Sequence, residues 1–168
     1  NIHVYKNEKN YGTNISINLG IMKASGDYIT IMSVNERLVK TKLKSQVHFL
    51  EEHPLHMAIL CNSTLLDETT GNVIETELGA HTIMFRKYVV DTIGYYDSTR
   101  YCTYEEYVER IQKVYGKEWV SHINKVLSVK KENSRTEKAY LNKARKWHET
   151  TIPLYMPFPL KKRPFPLR

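Results

Sequence analysis

Residues 10–37 read NYGTNISINLGIMKASGDYITIMSVNER. Asn10, Gly12 and Asn14 are turn formers. Ile17, Ile21 and Ala24 recur at helical spacing, with Leu19 and Met22 adding apolar bulk, which predicts a helix over 13–25. Gly26-Asp27 punctuates the chain. Tyr28 to Met32 is a β-rich run, too short for a helix and too apolar for an exposed edge, so a buried strand is expected. It breaks off into Ser33-Val34-Asn35-Glu36. In an open α/β sheet, ligands sit just beyond the carboxyl ends of strands, which makes these residues the first candidates for chemistry.

Working outward, Asn10, Gly12, Asn18, Gly20, Ile21, Ala24, Gly26, Tyr28 and Ile29 fit the pattern N-x-G-x-x-x-x-x-N-x-G-I-x-x-A-x-G-x-Y-I. On these residues the stretch resembles the middle of a family-2 glycosyltransferase with the GT-A fold. The resemblance implies an α/β architecture: a Rossmann-like mixed sheet flanked by helices, with a helical C-terminal part. The strands that hold the nucleotide's base and ribose in that family are missing. Either the chain is a piece of a longer protein, or a partner chain completes the sheet edge. The implied activity is transfer of a sugar from a UDP- or GDP-sugar donor to a hydroxyl of a glycan or protein acceptor. Asn10, Gly12 and Asn18, with Ser33, Asn35 and Glu36, then fall at the donor diphosphate.

In the family an acidic D-x-D follows the strand and holds a divalent cation on that diphosphate. Here Ser33 and Asn35 take the two aspartate places, and Glu36 is the sole anion left. Mg²⁺ and Mn²⁺ prefer hard oxygen ligands with carboxylates among them, so binding of either is expected to be weak or absent, with Glu36 as the metal candidate.

The acceptor side repeats the departure. An inverting transfer needs a base for the acceptor hydroxyl. The family supplies an aspartate at the head of a helix, in patterns such as E-D-Y-E-L-x-x-R. Counting back from Arg110, the aspartate place falls on Tyr104 and the second acidic place on Glu106, with Glu105 one step out of register. A phenol with a pKa near ~10 is a poor base at neutral pH. The two glutamates also suit a helix N-terminus, where acids face the dipole. Two altered motifs together imply a slow, altered or absent transfer. They leave open a non-catalytic binding or assembly module derived from the fold.

The other expected elements are a strand over 1–5, a helix over 41–52 and a central strand over 57–66. A turn at 67–72 leads to a partner strand at 73–76. A strand over 79–85 precedes a short helix over 86–93, closed by Gly94. Helices are expected over 105–115, 118–127 and 134–147. In the helix over 41–52, Leu43, Val47 and Leu50 share one face, while Lys42, Lys44 and Glu51 are expected to stay solvated. Gln46, Leu50 and Pro54 fit the family's Q-x-x-x-L-x-x-x-P. His48, His53 and His56 lack a completing carboxylate or thiol and read as solvated or hydrogen-bonded.

At 168 residues, 41% apolar and 26% charged, the composition suits one globular domain. We divide the chain into a glycosyltransferase-like domain over 1–150 and a Pro-rich basic tail over 151–168. No apolar run is long enough to span a membrane, and the first residues do not read as a signal peptide. Cys61 and Cys102 read as free thiols of a reducing, cytoplasmic compartment. Residues 1–116 carry 12 Lys and Arg against 14 Asp and Glu, whereas residues 117–168 carry 13 against 4. All of the +7 net charge therefore lies in the last third. Such a region attracts phosphates, acidic partners, nucleic acid or an anionic membrane surface. This supports a second alternative, a basic polyanion-binding domain with Trp119, Tyr140 and Trp147 available to stack on bases.

Overall fold

The computed structural model describes residues 2–97 and 103–132. Its elements are α1 (Thr13–Lys23), β1 (Tyr28–Thr30), β2 (Glu36–Leu38), α2 (Lys42–Glu52), β3 (Ala58–Asp67), β4 (Val73–Leu78), β5 (Met84–Arg86), α3 (Val89–Ile93), α4 (Thr103–Tyr115) and β6 (Val120–Glu132). Single 3₁₀ turns occupy Ala80–Thr82 and Lys117–Trp119. The strands form one mixed sheet in the order β1-β5-β3-β6-β2, with β4 also paired to β3. β3 and β6 run parallel and the other pairs are antiparallel. This is the expected α/β arrangement, a mixed sheet flanked by helices.

β3 organises the sheet because its first residues are apolar on both faces, as a strand covered on both sides requires. Ala58 and Leu60 pack with Phe85, Ile29, Val89, Tyr107 and Ile111. Ile59 faces the opposite side, against Leu50 of α2 and Met84. α1, α3 and α4 thus cover one face and α2 the other.

Several expectations are corrected. Residues 2–12 form no strand, and Ile2 and Val4 are exposed. β1 is an edge strand among the described residues and only Ile29 of it is buried; Met32, past its end, is exposed. Residues 79–85 divide into a 3₁₀ turn and the short β5. Residues 120–127, expected as helix, belong to β6. There the register between β3 and β2 overrides helical spacing, and the β-branched residues Val120, Ile123, Val126 and Val129 suit a strand. In α2 the buried face is Lys42, Gln46 and Leu50, while Leu43 is exposed. The expected basic helix over 134–147, the tail, Cys102, Tyr140 and Trp147 lie outside the described residues.

α1 buries amides as well as Ile21. Asn18 is fully enclosed: its Nδ2 donates to the Tyr96 carbonyl at 2.8 Å and its Oδ1 accepts from the Tyr96 amide at 3.0 Å. One turn earlier, Asn14 donates to the Asp97 carbonyl and accepts from Thr103 Oγ1 at 2.9 Å. α1 therefore fixes where α4 begins. Asn18→Ala would leave two buried backbone groups unpaired, and a loss of about 2–4 kcal/mol is expected in denaturant titration.

Candidate active site

β1 ends at Thr30, and the chain turns tightly at Ser33–Glu36, where the Glu36 amide donates to the Ser33 carbonyl at 3.1 Å. Val34 at the tip is exposed, so the turn opens to solvent. Asn35 is tied to β6: its Nδ2 donates to the Lys131 carbonyl at 3.3 Å. Glu36 begins β2, directly opposite Lys130 of β6.

Glu36 is buried. Its Oε2 accepts from the Ser33 amide at 3.0 Å, and its Oε1 lies 3.5 Å from His81 Nε2. Burial raises the Glu36 pKa above its ordinary value, opposed by the Ser33 hydrogen bond and by the charges of Lys130 and Lys42. His81 is pushed down to about 4, first by burial and then by Lys130 and Lys42. It is neutral at pH 7, so its approach to Glu36 is not an ion pair, and its Nε2 is buried without a hydrogen-bond partner. A Cβ on Gly79 would overlap the His81 ring, so the glycine is what allows the ring to lie there. The His81 ring also meets Tyr104 edge-on, with centroids 6.4 Å apart.

Beneath the turn, Lys42 is enclosed. Its Nζ donates to Gln46 Oε1 at 2.6 Å, to the Thr82 carbonyl at 3.1 Å and to Thr30 Oγ1 at 3.4 Å. Burial lowers its pKa, opposed by Cys61 and Glu36. It ties the end of β1 to the 3₁₀ turn that carries His81.

The structure thus links Ser33 and Glu36 to Tyr104 through the His81 ring, with Asn35 in the same turn as Ser33 and Glu36. Glu105 is exposed at the head of α4, and its charge raises the pKa of Glu77 on β4 after burial and Glu75, while Lys130 lowers it. The remaining sequence candidates are placed elsewhere. Glu106 is buried, with both carboxylate oxygens on Arg110 of the same helix. Asn18 serves Tyr96, as above. Asn10 Oδ1 accepts from the Gly12 amide at 2.9 Å, and Gly12, at φ 85°, opens α1. In that left-handed conformation glycine is favoured.

Sequence reasoning missed His81, Lys42, Lys130 and Glu77. A signal existed for Lys42: counting back in fours from Leu50 gives Gln46 and Lys42 on one face. Lys130 and Glu77 depend on sheet register, and His81 on the missing Cβ of Gly79. None of these is a motif.

The donor set does not fit a divalent cation of the kind the acidic motif serves. It offers one carboxylate, whose oxygens already face Ser33 and His81, and two neutral side chains, one tied to Lys131. Among the described residues, no group of three or more His, Cys, Asp or Glu is placed to hold a metal. His48 lies 3.4 Å from Glu52, and His53 Nδ1 lies 2.9 Å from the Phe49 carbonyl.

Residues 1–149 match the model of Glycosyl transferase family 2, and the chain belongs to that family. No curated protein matches the chain. Among the described residues no helix is long and apolar enough to cross a membrane.

Proposed function

We propose that the chain transfers a sugar from a UDP- or GDP-sugar to an acceptor hydroxyl, slowly, at the surface shared by the β1–β2 turn and the head of α4. One observation carries this reading. Glu36 and Tyr104, far apart in sequence, both contact His81, Glu36 at 3.5 Å and Tyr104 at 6.4 Å between ring centroids. The donor diphosphate lies at Ser33–Glu36 and the acceptor at Tyr104 and Glu105. In the reaction the acceptor oxygen bonds to the sugar's anomeric carbon as the bond to the diphosphate breaks. The bonding pair leaves on the diphosphate, and the hydroxyl proton passes to a base.

Glu105 is the carboxylate on the acceptor side that is not tied to an arginine, and we assign it that role. Its offset from the aspartate place accounts for slow turnover. The test is nucleoside diphosphate release from UDP-glucose, UDP-N-acetylglucosamine and GDP-mannose. Glu105→Gln should lower turnover by about 100-fold, the usual worth of a general base. If the chain binds donors but turns none over, it is a binding module derived from the fold. The polyanion-binding reading rests mostly on residues beyond 132, outside the described part.

A further inference from the structure

We infer that this site takes the donor diphosphate without a divalent cation, through the Lys130 ammonium, the Ser33 hydroxyl and the second N–H of the Asn35 amide. The inference rests on the donor-binding reading above and specifies its chemistry.

An aspartate cannot touch a phosphate except through a cation, because both are anionic acceptors. A serine hydroxyl and an asparagine amide are donors and bind phosphate oxygens directly. The residues at 33 and 35 have thus lost the ability to hold a metal and gained the ability to replace it. The charges agree. Relative to a motif of two aspartates and one divalent cation, Ser33 and Asn35 without a metal leave the local sum unchanged.

Geometry supplies the cation. Residues directly opposite in an antiparallel pair project to the same face. Lys130 is opposite Glu36, so it flanks the turn on the side where Glu36 and His81 lie. Its charge acts on Glu36, His81 and Glu77 alike, in keeping with that register. Lys42 adds a second, enclosed positive charge below. Glu36 is turned inward onto the Ser33 amide, so its charge braces the turn rather than facing a ligand.

The test is calorimetric titration of the full chain with UDP, GDP and inorganic pyrophosphate, in EDTA and in excess Mn²⁺. Nucleotide should bind in EDTA, with Kd unchanged within roughly threefold on adding Mn²⁺. Lys130→Ala should weaken binding by roughly tenfold or more, the worth of one charge-assisted contact, and Lys130→Arg should retain it. The double variant Ser33→Asp/Asn35→Asp should lose binding in EDTA and regain it with Mn²⁺. Circular dichroism checks that each variant is folded. Binding by the wild type only with Mn²⁺, or an unchanged Kd in folded Lys130→Ala, overturns the inference and leaves the donor-binding reading standing. No binding in either buffer overturns that reading, and the inference with it.

Discussion

Arg110→Ala is expected to cost about 3–5 kcal/mol, enough to unfold a domain of marginal stability. The guanidinium is buried and joins α4 to the end of α3 and the residues that follow it. Its Nε and Nη2 hold Glu106, and its Nη1 donates to the carbonyls of Ile93 at 3.0 Å and Tyr95 at 2.8 Å. Removing it strands a buried carboxylate and two carbonyls at the end of α3. Beside it, Tyr107 donates to the Gly94 carbonyl at 3.1 Å and stacks on Tyr96. Damage there reaches the segment that α1 holds through Asn18. Glu106→Gln keeps the shape and one acceptor, so it should cost less than Arg110→Ala. Urea unfolding of both variants makes the check. Equal, small losses would mean that the pair is a bystander.

The second large effect is a loss of stability in acid that depends on His81. Its folded pKa of about 4 lies below the ordinary value of 6.5. Between those values the unfolded chain binds a proton that the folded chain refuses. The contribution is complete above pH 6.5 and is lost as the pH falls towards 4, by roughly 3 kcal/mol over the window. Lys130 and Lys42 oppose protonation of the ring, and Glu36 at 3.5 Å favours it. Glu36 has a raised pKa and takes up a proton earlier in the folded state, so it works against the loss over part of the same range. Comparison with His81→Gln isolates the histidine, since Glu36 is present in both proteins. The wild type should lose roughly 3 kcal/mol more than His81→Gln between pH 6.5 and 4. Parallel stability curves would show that the ring titrates as it does in water.

The part of the fold legible in the sequence was the part written in local signals. α1, α2, the hairpin of β3 and β4, and α4 carry their own periodicity or turn chemistry, and they stand close to where the residues place them. β6 was misread because its evidence is not local: Val120 to Glu132 becomes a strand through its two neighbours. The apolar run at Tyr28–Met32 signalled a strand but not which side of it was covered. For the site, the turn at Ser33–Glu36 and the head of α4 could be found by spacing. Spacing also sets Glu106 beside Arg110 and Lys42 on the face of Gln46 and Leu50, but it does not say that these charges are buried. A charged residue at a helical position reads as solvated until its partners are known.

The pairing of β3 with β6 also bears on the order of assembly. β3 and β4 are joined by a short turn and can pair early. The parallel contact from Ala58 to Val120 must wait until the whole chain between them has been gathered in. Closing so long a loop before any contact rewards it is slow. Lys130 is on β6, and β2 has β6 as its neighbour in the sheet. The turn at Ser33–Glu36 therefore gains its opposing cation only when this last strand arrives. Competence to bind an anion should appear late in refolding, after helical structure has formed.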